Sequence, residues 1–271
     1  MTALALPFPF DREYMQLALV AAVVVGATAP LIGTFLVQKH LSLLGDGIGH
    51  VAFGGVAAGL LLGLWPVWTA LVAAVCGAVG LEWLRSRGRT SGDLALSLLF
   101  YTGIAAGVVL TGLAGALDAS LLTYLFGSIL TISPSDAATI VLLALLIVAT
   151  IALIWRALFT VLLDEESAQV AGLPVLRLNL VLSALTAVTV VAAMRVVGLL
   201  LVAALMVLPV ASAQRLCRSF RSTLIASAAI GATAGIAGLT IARLADLAPG
   251  ATIVLVAAAF FGGSVLVGRA R

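Results

Sequence analysis

The chain has 271 residues, of which 63% are apolar and only 9% are charged, and its mean hydropathy is +1.27. Soluble domains carry roughly a quarter charged residues, so this composition excludes a protein whose whole surface faces water. The net charge of +3, from 14 basic and 11 acidic residues, says little about nucleic-acid binding, and we expect no nucleic-acid partner. The sequence is that of a polytopic membrane protein.

Continuous apolar segments follow one another along the chain, and a membrane-spanning helix needs about 20 such residues. They predict an all-α transmembrane bundle of eight or nine spans, in a single domain covering residues 1–271. A β-barrel is excluded because the segments lack the period-two alternation of barrel strands. The predicted spans are 14–37, 42–64, 66–84, 93–113, 135–155, 177–194, 196–214, 222–242 and 250–268.

The arginines between the spans predict the orientation in the membrane. Short basic loops remain in the cytoplasm, so we expect the C-terminus and the acidic segment 164–174 to be cytoplasmic as well. The arginines concerned are Arg85, Arg87, Arg89, Arg215, Arg218, Arg221, Arg269 and Arg271.

Glycines recur at helical spacing in two segments, GVAAGLLLG (55–63) and GATAG (231–235). Small residues four apart allow helices to approach closely in lipid. We expect these glycines to serve helix packing. The segment 118–136 is apolar but short, and it predicts a re-entrant or interfacial helix ahead of the next span.

The segment HLSLLGDGIGH (40–50) contains the most informative polar residues. On a helix, Ser42, Asp46, His50 and Phe53 lie along one stripe. Ionisable groups inside a membrane are costly and usually mark an ion or substrate pathway. A carboxylate one turn from an imidazole suits zinc, manganese or iron. A packing pair and a proton relay are the alternatives.

Two ligands are too few to close a metal site, so a metal would need water or groups from another helix as well. That incomplete set favours passage of an ion over storage. Asp46 and His50 are therefore predicted to line a metal pathway.

The segment DEESAQVAGLP (164–174) predicts a short cytoplasmic helix. Its acidic residues suit a helix N-terminus, and Gly172 followed by Pro174 is typical of a helix end. Such a helix is either a docking surface for a cytoplasmic partner or an ordinary connector between spans. The chain contains no nucleotide-binding motif, so any ATP hydrolysis would belong to a partner and we do not expect an enzyme.

Four segments resemble the permeases of zinc/manganese-type ATP-binding-cassette (ABC) importers, in the order found in that family. LSLLGDGIGHVAFGGVAAGLLLG (41–63) resembles the family's second-span signature, although Phe53 and Gly54 stand where Leu and Pro are frequent. The other three are YLFGSIL (124–130), DEESAQVAGLP (164–174) and RVVGLLLVAALMVLPVASAQRL (195–216), in which Val210 replaces an alanine.

The resemblance implies a type II ABC importer-like homodimer in the bacterial plasma (inner) membrane. A cytoplasmic ABC ATPase would bind near 164–174, and an extracytoplasmic metal-binding protein would deliver the ion. The cargo would be a divalent transition metal, with Asp46 and His50 in its pathway and with Ser42, Phe53 and Pro209 as candidate lining residues. The candidate docking residues are Asp164, Glu165, Glu166, Ala168 and Gly172.

Two other transport functions are compatible with the sequence. A siderophore- or cobalamin-type ABC permease would carry a metal that is already chelated, which leaves Asp46 and His50 without a purpose. An ion-coupled secondary transporter would need further intramembrane acids, which are scarce here.

Overall fold

The computed structural model describes residues 9–87, 92–115, 119–127, 132–199 and 201–269, and these residues form helices without any strand. The predicted all-α fold is confirmed. In chain order the helices are α1 (Glu13–Gln38), α2 (Leu44–Leu61), α3 (Pro66–Ser86), α4 (Gly92–Ala114), α5 (Ala119–Phe126), α6 (Pro134–Leu163), α7 (Glu165–Val170), α8 (Val175–Met194), α9 (Val202–Leu216), α10 (Phe220–Ala245) and α11 (Pro249–Arg269).

Eight of the described helices are long and apolar enough to cross a membrane, namely α1, α2, α3, α4, α6, α8, α10 and α11. The remaining predicted span, 196–214, corresponds to α9, a shorter apolar helix of 15 residues. The prediction of eight or nine spans is therefore confirmed. Arg89 and Arg271 lie outside the described residues.

Several predicted boundaries differ from the structure by two or more residues, three of them as follows. The helix predicted from residue 42 begins at Leu44, because a turn follows α1 and His40 adopts a left-handed conformation with φ 57°. The span predicted from residue 196 begins at Val202, after turns that include Gly198 at φ 87°. The span predicted to end at residue 155 continues to Leu163.

Small residues bring the central helices together, as predicted. A Cβ added to Gly26 of α1 would lie 2.5 Å from the carbonyl oxygen of Gly231 in α10. On α2, Cβ atoms at Gly55 and Gly59 would collide with α3. Gly63 is the exception, since it follows the end of α2 at φ 65° and has no neighbouring atom within 4 Å of an added Cβ.

The helix predicted within 118–136 is present as α5, which has 8 residues and is too short to cross a membrane. Its end is fixed to the turn after α8: the amide of Leu199 donates a hydrogen bond to the carbonyl of Tyr124 at 3.0 Å. Gly127 and Gly198 are in close backbone contact, both at positive φ.

Candidate metal site

Asp46 and His50 lie in the first two turns of α2, on one face of the helix. The Asp46 Oδ1 and His50 Nε2 atoms are 3.9 Å apart, which is longer than a hydrogen bond. The two groups are thus neighbours whose facing atoms are not engaged with each other. Neither facing atom is therefore hydrogen-bonded to the other residue.

A recess of about 190 Å³ opens beside Asp46, between the start of α2 and the first half of α4. The Asp46 side chain is 30% exposed and that of His50 is 17% exposed. The imidazole packs edge-on against the ring of Phe100, with centroids 4.4 Å apart, which restrains its orientation. The recess is lined by Leu43, Asp46, Leu96, Ser97, Phe100 and Tyr101.

Two glycines of α4 allow it to pack tightly against this part of α2. A Cβ at Gly103 would lie 2.8 Å from the amide nitrogen of Val51 and 2.9 Å from the carbonyl carbon of His50. A Cβ at Gly107 would overlap the ring of Phe53. The backbone that carries His50 is therefore held directly by the backbone of α4.

The other predicted lining residues lie outside the recess. Phe53 packs on Gly107, and Pro209 is buried inside α9. Ser42 is in the turn before α2, so its predicted place on the helical stripe is wrong, whereas its role in lining the pathway stays a prediction. Of the five predicted pathway residues, only Asp46 lines the recess, and His50 is its neighbour on the same face of α2.

Within the described residues, no group of three or more His, Cys, Asp or Glu side chains is close enough to hold a metal ion. The carboxylate and the imidazole therefore form an incomplete ligand set among the described residues. Further ligands would have to come from water, from another chain or from outside the described part of this chain.

The predicted cytoplasmic helix is α7. Asp164 caps its N-terminus, since one carboxylate oxygen accepts hydrogen bonds from the amides of Glu166 at 2.9 Å and Ser167 at 3.3 Å. The hydroxyl and amide of Ser167 lower the pKa of the Asp164 carboxyl. Gly172 ends the segment at φ 81°, as its position in the sequence predicts.

The helix α7 has an inner and an outer face. On the inner face, Ala168 is fully buried. Glu165 accepts hydrogen bonds from Lys39 at 2.5 Å and from the Asn179 amide at 3.2 Å. On the outer face, Val170 is 90% exposed, and Glu166 and Gln169 are exposed beside it.

Two opposing effects act on the pKa of Glu165. Burial of the carboxyl raises the pKa. The opposite effect is larger: the pKa is lowered by the ammonium of Lys39, the amide of Asn179 and the nearby Arg85, so it lies below its usual value. Asn179 also accepts a hydrogen bond from Lys39 at 2.7 Å, which closes a three-residue network between α1, α7 and α8.

Another ion pair, which was not predicted from the sequence, lies at the other end of the bundle. Arg195, after α8, contacts Asp136 of α6 at 3.2 Å, and both side chains are largely buried. The guanidinium also lies over the ring of Tyr124, 4.8 Å from its centroid. One signal was available: Arg195 is a cation between two spans, on the side that basic loops usually avoid.

The described residues thus form an apolar helical bundle with eight helices long enough to cross a membrane, a recess beside Asp46 and a capped short helix, α7. Residues 11–268 match the ABC 3 transport family, and the chain belongs to that family. The resemblance predicted from the four sequence segments is confirmed. The protein is accordingly a multi-pass transport permease of the bacterial plasma membrane.

Relatives align with nearly the full chain. It is 33% identical to the manganese transport system membrane protein MntC of Halalkalibacterium halodurans, covering 94% of this chain and 89% of the relative. It is 29% identical to the high-affinity zinc uptake system membrane protein ZnuB of Haemophilus influenzae, covering 92% and 95%. The solved structure of PsaBC from Streptococcus pneumoniae in complex with Fab superposes with a TM-score of 0.84 at 31% identity, covering 94% and 91%.

Proposed function

We propose that this protein is the permease subunit of an ABC importer for divalent transition metal ions and that Asp46 and His50 bind the ion during passage. The observation that supports these roles is the 3.9 Å separation of two ligand atoms that are not bonded to each other. Relatives named for manganese and zinc transport support this class of cargo.

The separation suits an ion held between the two side chains. Tetrahedral zinc, with imidazole nitrogen and carboxylate oxygen at about 2.0–2.2 Å, holds neighbouring ligand atoms about 3.3–3.6 Å apart, so a small rotation of either side chain from the 3.9 Å separation would bring both onto one ion. A direct hydrogen bond between Asp46 and His50 would instead have required a proton on Nε2 and occupied a carboxylate lone pair. Zinc, manganese and iron all accept this combination of ligands.

A homodimer would complete the ligand set. The recess beside Asp46 opens next to α4, where Leu98 and Tyr101 are 49% and 69% exposed. Two-fold symmetry would bring the same face of a second copy against it. The ion would then meet two carboxylates and two imidazoles, with water in any remaining positions.

Transport would be driven by a cytoplasmic ABC ATPase that docks on the outer face of α7. Glu166, Val170 and Gly172 are exposed there, and Asp164 shapes the helix start. Glu165 and Ala168 would act from the inner face by fixing α7 to the bundle. An extracytoplasmic metal-binding protein would deliver the ion to the opposite end.

The test is metal accumulation, measured by elemental mass spectrometry in a strain that lacks its own importer and expresses this chain with its ATPase. We expect Asp46→Ala/His50→Ala to reduce accumulation of one metal at least tenfold at equal membrane abundance. The control is His40→Asn, which alters the other histidine while suiting its left-handed backbone. Unchanged uptake in the double variant would refute the site, and uptake that survives loss of the ATPase would indicate a secondary transporter.

A further inference from the structure

A groove of about 630 Å³ runs along the outside of the bundle between α6 and α10, with α1 as its floor. Its lining residues belong to α1, α6 and α10, whereas the recess beside Asp46 lies between α2 and α4. Most of its wall is apolar, and two arginines, Arg156 and Arg221, also line it. The apolar lining is Leu31, Val148, Ile151, Ala152, Trp155, Leu224 and Ile225.

Their positions along α6 and α10 place the two arginines at the level expected for the cytoplasmic headgroups. Arg156 is about 33 Å from Pro134 along α6 by the rise of an α-helix, and the hydrocarbon core of a bilayer is about 30 Å thick. Arg221 is in the first turn of α10, directly after the basic loop that we assign to the cytoplasm. Trp155 is next to Arg156, and tryptophan is enriched at this depth.

Neither arginine has an ion-pair partner among the residues that the structure describes. Both side chains are exposed, and no acidic residue lines the groove. Two cations therefore face the same groove without protein counter-charges. Behind them, Phe35, Trp155, Phe159 and Phe220 form a packed aromatic cluster, with Phe35 and Phe220 centroids 5.3 Å apart.

We propose that this groove binds an anionic phospholipid of the inner leaflet. Its phosphate would pair with Arg156 and Arg221, and an acyl chain would lie along Val148, Ala152 and Ile225. Basic pockets between transmembrane helices on the cytoplasmic side suit anionic headgroups, and the apolar continuation towards the bilayer centre suits a lipid tail better than a soluble anion.

The binding test is native mass spectrometry of the full chain in detergent, titrated with phosphatidylglycerol or with phosphatidylcholine of the same acyl chains. We expect phosphatidylglycerol to bind preferentially. Arg156→Gln/Arg221→Gln should weaken that binding by roughly 20-fold, since each arginine near an anionic lipid contributes about fivefold. The control, Arg177→Gln, removes an exposed arginine at the start of α8 that does not line the groove.

A second pair of variants tests the acyl-chain path with both arginines intact. Ala152→Trp would fill the groove and should release the lipid, whereas Leu153→Trp, at the adjacent position outside it, should not. Equal binding of both lipids, or unchanged binding by the double arginine variant, would overturn the proposal. So would efficient cross-linking of cysteines placed at Ile225 in two copies of the chain, because the groove would then be a protein interface.

Discussion

Lys39 and Glu165 form an ion pair between residues 126 positions apart in the chain, at 2.5 Å. Lys39 follows the last residue of α1, and Glu165 is the first residue of α7. The turn at His40 then leads directly into α2, which carries Asp46. The pair therefore ties the proposed ATPase-docking helix to the segment that begins the candidate metal site.

Glu165→Gln should destabilise the protein, because the Lys39 side chain is only 11% exposed and would lose its counter-charge. Since Glu165 itself is half exposed, the expected loss is about 1 kcal/mol. Thermal unfolding of the purified chain in detergent measures it. Glu166→Gln is the matched control, as Glu166 has no ion pair among the described residues, and an equal effect of both variants would argue against the pair.

The Glu165 carboxylate should also make the stability of the protein depend on pH. The pKa of Glu165 is lowered in the folded protein from its usual 4.5, so its contribution to stability is fully present above that value. This contribution is lost as the pH falls through the lowered pKa of the folded protein, because Glu165 is then protonated in both the folded and the unfolded state. The difference in melting temperature between wild type and Glu165→Gln should thus shrink on acidification below pH 4.5, and a constant difference would contradict this.

Gly103→Ala should displace the backbone at His50. The added Cβ would meet main-chain atoms of His50 and Val51 at 2.9 and 2.8 Å, which cannot rotate away as a side chain can. Overpacking of this kind costs about 1–3 kcal/mol, and metal uptake should fall as well. Gly112→Ala on the same helix meets no atom within 4 Å. The unfolding temperature and metal uptake of Gly112→Ala should equal or exceed those of wild type. If Gly103→Ala changed neither property, the close contact would be refuted.

Asp136→Asn should destabilise the end of the bundle opposite α7, because it leaves the largely buried Arg195 guanidinium without a counter-charge. Breaking a buried pair costs about 3–5 kcal/mol, and the residual exposure here reduces our expectation to about 2 kcal/mol. The double variant Asp136→Asn/Arg195→Gln should lose less than the two single variants combined. Additive losses in thermal unfolding would show that the residues act separately.

The sequence alone determined the transmembrane class and most of the spans. This was possible because lipid offers no hydrogen-bond partners, so each crossing segment must satisfy its own backbone and display apolar side chains. The spacing of Asp46 and His50 also followed from the sequence, since residues four apart on a helix are neighbours whatever the tertiary structure. The helix cap at Asp164 and the helix end at Gly172 likewise depend only on residues that are close in the sequence.

The tertiary structure decided what depends on contacts between distant segments. It excluded Ser42 from the α2 stripe, placed Phe53 on Gly107, and turned Glu165 and Ala168 inward while leaving Val170 exposed. It also paired Arg195 with Asp136 and brought Arg156 and Arg221 to one groove. Every candidate partner for these side chains was visible in the sequence, but only the packing of the helices determines which ones meet.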